Sequence, residues 1–252
     1  MPQLFETFPQ YREETAIWKL MHHIGFWDYA GNYPIKWVAL NIPYNTFGKN
    51  GLEGDIDMLY SLSKPPVPNP NYHPDYIRAF EVKTATVNGN GAIKSFDNDK
   101  FEYGFEQCQK LEKFGAEMIF LLDFIILEQG KKITYQDTWK RISNKIEARM
   151  KKCATSNYGY NVKFFQYIEG CDEYSVGIAF PPRDYVHGKH LPKGESFKIF
   201  TDKLNEVAQT YPFRNGMRIL YFCKKCRNIA ATSSADRNPQ CNHCGNVIPV
   251  HE

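Results

Sequence analysis

The chain has 252 residues, 42% of them hydrophobic, which is enough for one medium domain with a packed core and a small appendage. Its formal net charge of +3 is too small to indicate nucleic-acid binding by itself. The sequence has neither a secretory leader pattern nor an apolar run of bilayer length, so we expect no membrane contact. Its seven cysteines, four of them in metal-binding spacing, indicate a reducing, cytoplasmic location.

The first predicted elements are a helix and three strands. Apolar residues recur at helical spacing over residues 10–25, which predicts a helix. Branched and aromatic runs predict strands over residues 35–42, 54–60 and 77–84. Residues 65–74, between the last two strands, contain five prolines and are predicted to form a stiff connecting loop, although a contact with nucleic acid is an alternative.

Charged side chains interrupt the second and third of these strands. Because residues i and i+2 of a strand share a face, Asp55 and Asp57 project together, and so do Glu81 and Lys83. Pairing the strands would gather up to three carboxylates around one ammonium group. Oxygen ligands of this kind suit a hard cation, Mg²⁺ or Mn²⁺, which can polarise a phosphodiester and activate water. The alternative is a surface hairpin with ordinary charges.

This arrangement resembles the PD-(D/E)XK nuclease superfamily, in which an acidic residue on one strand precedes Glu-x-Lys on the next. Glu81-Val82-Lys83 matches the second part, and Asp57, within an apolar strand, matches the first better than Asp55. The proline of the family name is missing. The resemblance covers residues 10–126 and implies that Asp57, Glu81 and the Val82 carbonyl hold the metal. It also implies that Asp55 is a further acid and that Lys83 serves the attacking water or the transition state.

The resemblance further implies two supporting residues on helices. The first helix of the family carries a glutamate, and Glu13 fits that role better than Glu14, although the choice stays open. The family often places a polar residue on the helix after Glu-x-Lys, here predicted over residues 103–114. Gln107 fits best, because Leu111 lies one turn further along the same face. Ordinary surface positions are the alternative for both. The other candidates on the second helix are Gln109 and Lys110.

A basic segment follows a predicted buried strand over residues 118–126. Residues 131–152 hold eight lysines and arginines against two acids, a net charge of +6. An apolar seam predicts a helix that packs one face on the domain and presents cations such as Lys140, Arg141 and Lys145 on the others. That surface could follow phosphates, and a solvated surface helix is the alternative. Further strands are predicted over residues 161–167, 174–180 and 217–222, and a helix over residues 197–211.

Two CxxC pairs lie near the C-terminus, and 14 residues separate them. This spacing predicts a closed, structural zinc site formed by Cys223, Cys226, Cys241 and Cys244. Gly245 directly follows the second pair, where such knuckles often need a positive φ, whereas the first pair is followed by Arg227. Three cations around the first pair could contact DNA: Lys224, Lys225 and Arg227.

We therefore expect an α/β fold with a mixed central β-sheet flanked by helices, over residues 1–218, and a zinc ribbon over residues 219–252. The expected activity is Mg²⁺-dependent (or Mn²⁺-dependent) hydrolysis of phosphodiesters in DNA, as in restriction, defence or repair endonucleases. Two alternatives stay open: an inactive nuclease fold that binds nucleic acid, and a ribbon that recruits a protein. DNA or RNA preference, specificity, endo or exo mode, pathway and a homodimer also stay open.

Overall fold

The computed structural model describes ten stretches of the chain, namely residues 35–48, 51–62, 76–87, 93–94, 100–127, 135–168, 173–177, 186–211, 218–233 and 240–247. These stretches contain three helices: α1 (Lys100–Phe114), α2 (Tyr135–Ala154) and α3 (Glu195–Thr210). They also contain nine strands: β1 (Ile35–Pro43), β2 (Asp55–Leu62), β3 (Tyr76–Val87), β4 (Ile93–Lys94), β5 (Ile119–Leu127), β6 (Tyr158–Ile168), β7 (Glu173–Gly177), β8 (Arg218–Phe222) and β9 (Ile229–Ser233). The helix predicted over residues 10–25, with Glu13 and Glu14, and the proline-rich loop lie outside the described residues.

The chain forms two compact units. Unit 1 comprises Met1–Ala79, Leu111–Glu117 and Pro192–Glu252, and unit 2 comprises Phe80–Lys110 and Met118–Leu191. Strand β3 takes part in both, because its residues up to Ala79 belong to unit 1 and the rest belong to unit 2.

Unit 1 is built on a mixed sheet in the order β3-β2-β1-β8-β9. Strand β1 pairs with β2 in antiparallel and with β8 in parallel orientation, and β8 and β9 form an antiparallel pair. Helix α3 packs on β8 and β9 and buries Phe197, Phe200 and Leu204. The indole Nε1 of Trp37 on β1 donates a hydrogen bond of 2.7 Å to Asn205 Oδ1, which ties the helix to the sheet.

Unit 2 has its own mixed arrangement, with the order β7-β6-β5-β3 and with β4 beside β3. Strands β5 and β6 are parallel, whereas β6–β7 and β3–β4 are antiparallel. One face carries stacked aromatic rings, with Phe80 and Phe120 at a centroid distance of 5.0 Å. Helix α2 packs on β6. The other face, towards α1, carries the polar groups described below.

Two glycines of unit 1 set the contact between α1 and α3. Gly115, just after α1, has a φ of +88°, and its carbonyl accepts a hydrogen bond of 2.9 Å from the backbone N–H of Gly194, just before α3. A Cβ atom on Gly115 would lie 2.5 Å from the Gly194 Cα, so side chains are excluded at this contact. The approach brings Phe114 edge-on to Phe197 and Phe200.

The α/β class with a mixed sheet and helices is confirmed, as are the predicted strands and helices within the described residues, with boundaries that differ by a few residues. The sequence did not predict β4 or β9. None of the helices in the described stretches is both long and apolar enough to cross a bilayer.

Candidate functional site

The Glu-x-Lys segment lies in the middle of β3, where both charged side chains are buried. Glu81 is 1% exposed and Lys83 is 8% exposed. The Nζ of Lys83 donates one hydrogen bond of 2.5 Å to Glu81 Oε1 and another of 3.1 Å to the carbonyl oxygen of Val82. Two oxygen groups that the sequence assigned to a metal therefore converge on one cationic nitrogen.

Helix α1 covers Lys83. A Cβ atom on Gly104 would lie 3.0 Å from Leu121 Cδ1 and 3.3 Å from Lys83 Cγ, so the helix approaches this closely only because the residue is glycine. Gln107 lies one turn further along the same face of α1. Its Oε1 is buried, and no described residue donates a hydrogen bond to it. A buried amide oxygen without a donor is costly in a structural role, so its position favours a role in binding.

Cys108 is the next residue of this face and is fully buried. Burial raises the pKa of its thiol well above the usual value, and the neighbouring Glu81 and Cys153 raise it further, against the opposing effect of Lys83 and Arg149. Cys108 therefore stays a neutral thiol, as is usual for a buried free cysteine.

A second buried charged group lies on the same face of unit 2. The guanidinium of Arg149 on α2 donates two hydrogen bonds to Asp123 on β5, of 2.5 Å from Nε and 2.8 Å from Nη2. The hydroxyl of Tyr160 on β6 donates to the same carboxylate at 2.7 Å. Burial alone would lower the pKa of Arg149, but the Asp123 carboxylate outweighs it and raises that pKa, so the guanidinium stays charged. These contacts join one helix to two strands.

This network modifies the prediction for the basic segment. Arg149 was counted among the cations of α2, but it is buried, because it shares the helical face of Ile142 and Ile146. Lys140, Arg141 and Lys145 are exposed, as a phosphate-binding surface requires. Sequence reasoning missed the network, although an aspartate in the apolar run of β5 was a signal that a buried cation would face it.

The two predicted aspartates lie on β2 of unit 1. Asp57 is 7% exposed, and Asp55 is half-buried at the start of the strand, opposite Pro43 of β1. Strand β2 is otherwise buried along its length, so the two acids share one face of a central strand, as predicted.

The four cysteines of the ribbon come together in unit 1, and their Sγ atoms all lie within 4.8 Å of one another. Cys223 Sγ is 3.7 Å from Cys244 Sγ, and Cys226 Sγ is 3.6 Å from Cys241 Sγ. Four sulfurs bonded to zinc at ~2.3 Å stand about 3.8 Å apart in a tetrahedron. The cluster can therefore hold a zinc ion with little movement, as a structural site without an open position.

The two knuckles have the same backbone conformation. Arg227 N–H donates to the Cys223 carbonyl at 2.7 Å, and Gly245 N–H donates to the Cys241 carbonyl at 2.8 Å. Both donor residues have a left-handed backbone conformation, with φ of +60° at Arg227 and +67° at Gly245. The expected positive φ thus occurs in both knuckles, and in the first an arginine adopts it.

The thiols of the cluster are unequal. A backbone hydrogen bond from Asn228 lowers the pKa of Cys226 to about 6, whereas burial raises the pKa of Cys241 to about 12. A metal ion would deprotonate all four. The His243 ring nitrogen contacts the Ile229 carbonyl at 3.1 Å instead of joining the sulfurs. No other group of three or more His, Cys, Asp or Glu ligands converges in the described stretches.

The cations of the first knuckle are exposed on the ribbon: Lys224, Lys225 and Arg227. The ribbon is not a free appendage, since β8, which leads into Cys223, pairs along β1 from Trp37↔Arg218 to Leu40↔Tyr221. Comparison of the chain with protein-family models, with curated proteins and with solved structures found no match.

Proposed function

We propose that this protein is a Mg²⁺-dependent (or Mn²⁺-dependent) nuclease that hydrolyses phosphodiester bonds, with DNA as the substrate. The observation that carries the proposal is the buried Glu81–Lys83 pair, whose ammonium contacts both the Glu81 carboxylate and the Val82 carbonyl. Buried ion pairs are weak contributors to stability compared with apolar residues of the same size. Ionisable groups buried at such a cost are enriched at functional sites.

Each residue has a defined role in the proposed site. Glu81, Asp57 and the Val82 carbonyl would hold the cation, and Asp55 and Glu13 are further acids. When bound, the cation would polarise the phosphodiester and activate a water molecule for attack. The Lys83 ammonium, which contacts Glu81, would orient that water and offset the negative charge that grows on the phosphate oxygens. Gln107, whose Oε1 lacks a donor among the described residues, would accept a hydrogen bond from the attacking water.

The exposed cations of α2 and of the ribbon supply the electrostatic part of DNA binding. Lys140, Arg141 and Lys145 are one group, and Lys224, Lys225 and Arg227 are the other. Each phosphate contact releases a condensed counterion, so affinity should fall steeply with salt. These same exposed cations favour the second candidate function, a nucleic-acid-binding protein that does not cleave.

The test measures cleavage of labelled duplex DNA, single-stranded DNA and RNA with and without Mg²⁺. Lys83→Met should abolish cleavage and leave DNA affinity within about tenfold, because the lysine acts on the transition state. Asp57→Asn should weaken the binding of Mg²⁺, measured with DNA present, because a neutral amide replaces an anionic ligand.

The matched control is Lys163→Met on β6. Lys163 is also buried, at 2% exposure, but strand alternation places it on the face opposite to Tyr160. This control should cleave at the wild-type rate. If Lys83→Met and Lys163→Met cleave equally well, Glu-x-Lys is not the active site, and binding without cleavage becomes the better conclusion.

A further inference from the structure

A cavity of about 190 Å³ lies in unit 1. Four aromatic rings form most of its wall, with Phe114 edge-on to Tyr44 at a centroid distance of 5.1 Å and Phe47 edge-on to Phe200 at 5.5 Å. The lining residues are Tyr44, Phe47, Gly48, Phe114, Ser196, Ile199 and Phe200. Three of the rings are almost fully buried, whereas Phe47 and Ile199 are more accessible and stand at its mouth.

Size and lining limit what this cavity can take. Pockets for drug-sized ligands start at about 300 Å³, so a single flat ring system fits better than a larger molecule. Aromatic walls favour a flat, polarisable occupant. The exposed Ser196 adds one hydroxyl at the rim, which can donate to or accept from the polar edge of such a ring.

One residue of the cavity wall contacts the backbone just before β2, the strand that carries the predicted acids. The backbone N–H of Tyr44 donates to the Gly54 carbonyl at 3.1 Å, and Gly54 directly precedes Asp55. Gly54 has a φ of +112°, and a Cβ atom on it would lie 3.4 Å from the Tyr44 ring. The turn that carries Phe47 is held by a hydrogen bond of 3.1 Å from Thr46 N–H to the Pro43 carbonyl. Tyr44 of the cavity wall is thus hydrogen-bonded to the residue that precedes β2.

We infer that this cavity is a subsite for one unstacked nucleobase of the substrate. The inference rests on the proposed function, since it assigns the occupant from the substrate class. A base in the cavity would be held by ring contacts, which tolerate any base sequence. Its backbone phosphate would remain outside, on the side of the turn that leads into β2. When an enzyme binds one base outside the stack, the free energy of unstacking and unpairing is smallest for a substrate that is unpaired or already single-stranded.

The probe is a short single-stranded oligonucleotide with one 2-aminopurine, compared with the same oligonucleotide carrying an abasic site at that position. Without Mg²⁺, wild-type protein should change the 2-aminopurine emission saturably and bind the base-containing strand about tenfold more tightly. Phe47→Ala with Ile199→Ala should remove this preference and leave affinity for the abasic strand unchanged. Val247→Ala, which shortens a residue of equal exposure in the ribbon, is the control: Ile199 and Val247 are both 51% exposed.

Each outcome decides the question. If wild-type protein shows no preference for the base, or if the double variant keeps it, the subsite is refuted, and an apolar side chain of a protein partner becomes the better occupant. Should the double variant fail to fold, Ile199→Ala alone gives the same comparison, because this residue is exposed. Cleavage with Mg²⁺ is measured on the same proteins. Cleavage without a base preference refutes only the subsite, and a base preference without cleavage refutes only the nuclease.

Discussion

The two CxxC knuckles carry different residues directly after their second cysteine, and this difference gives a quantitative test of the ribbon. Arg227 and Gly245 occupy equivalent places with φ of +60° and +67°. A side chain in the left-handed conformation costs roughly 1–2 kcal/mol, and glycine avoids this cost. Arg227→Gly should therefore stabilise the first knuckle, although the more flexible unfolded chain offsets part of the gain.

The magnitude follows from these two effects. A net gain of about 1 kcal/mol corresponds to a zinc dissociation constant about fivefold lower. Gly245→Ala should produce the opposite change of similar size. No atom lies within 4 Å of the Cβ position at Gly245, so the cost of that substitution is conformational and not a clash. Arg227→Ala removes the charge but keeps the strained backbone, so its zinc affinity should stay close to wild type.

The assay is a zinc titration against a competing chelator, with the salt dependence of DNA affinity measured on the same proteins. Both Arg227 variants should lose about 0.9 from the slope of log affinity against log salt if Arg227 contacts a phosphate. Equal zinc affinities for Arg227→Gly and Arg227→Ala would refute the conformational argument. If the slope of log affinity against log salt does not change, Arg227 does not contact a DNA phosphate. Deletion of residues 219–252 is a poor test, since it would take most of β8 and all of β9 out of unit 1.

Two further predictions concern the buried charges of unit 2. Burial lowers the pKa of Lys163 to about 7, so between pH 7 and its unfolded value of about 10.4 the unfolded chain binds more protons, and the free energy of unfolding should rise with pH by up to ~1.4 kcal/mol per unit. In denaturant unfolding, Lys163→Met should be more stable than wild type at pH 7, and its free energy of unfolding should lack this rise with pH. If the free energies of unfolding of both proteins change with pH in parallel, the lowered pKa of Lys163 is wrong. Asp123→Asn should cost about 3–5 kcal/mol, since it leaves Arg149 buried without its ion-pair partner. Glu206→Gln, in an exposed pair with Lys203 at 2.8 Å, should cost at most ~0.5 kcal/mol, and equal losses of melting temperature would show that burial is not the cause.

Much of the candidate site was predictable because it depends on local periodicity. The period of two along a strand places Glu81 and Lys83 on one face, and the structure joins them by a 2.5 Å hydrogen bond. The spacing of two CxxC pairs predicted the cysteine cluster, since each pair closes its own knuckle through a backbone hydrogen bond. The DNA-binding cations and the catalytic roles stay predictions.

Other features could not be read from local patterns. Lysine and arginine count equally as surface cations in a sequence, yet Arg149 is buried, because Asp123 lies opposite it on a strand 26 residues earlier. The cysteine spacing of the ribbon did not indicate that β8, which leads into its first cysteine, pairs with β1, which lies far away in the sequence. The edge-to-face contact of Phe114 with Phe200 in the cavity wall likewise requires α1 and α3 to meet at two glycines.

The sequence by itself determined the α/β class, the shared face of Glu81 and Lys83, and the two CxxC pairs of the cysteine cluster, because each follows from residues a few positions apart in the chain. Only the tertiary structure decided which charges are buried, which strand the ribbon joins and where the aromatic cavity opens. Those features depend on contacts between distant segments, and packing selects them only once the sheets and helices have come together.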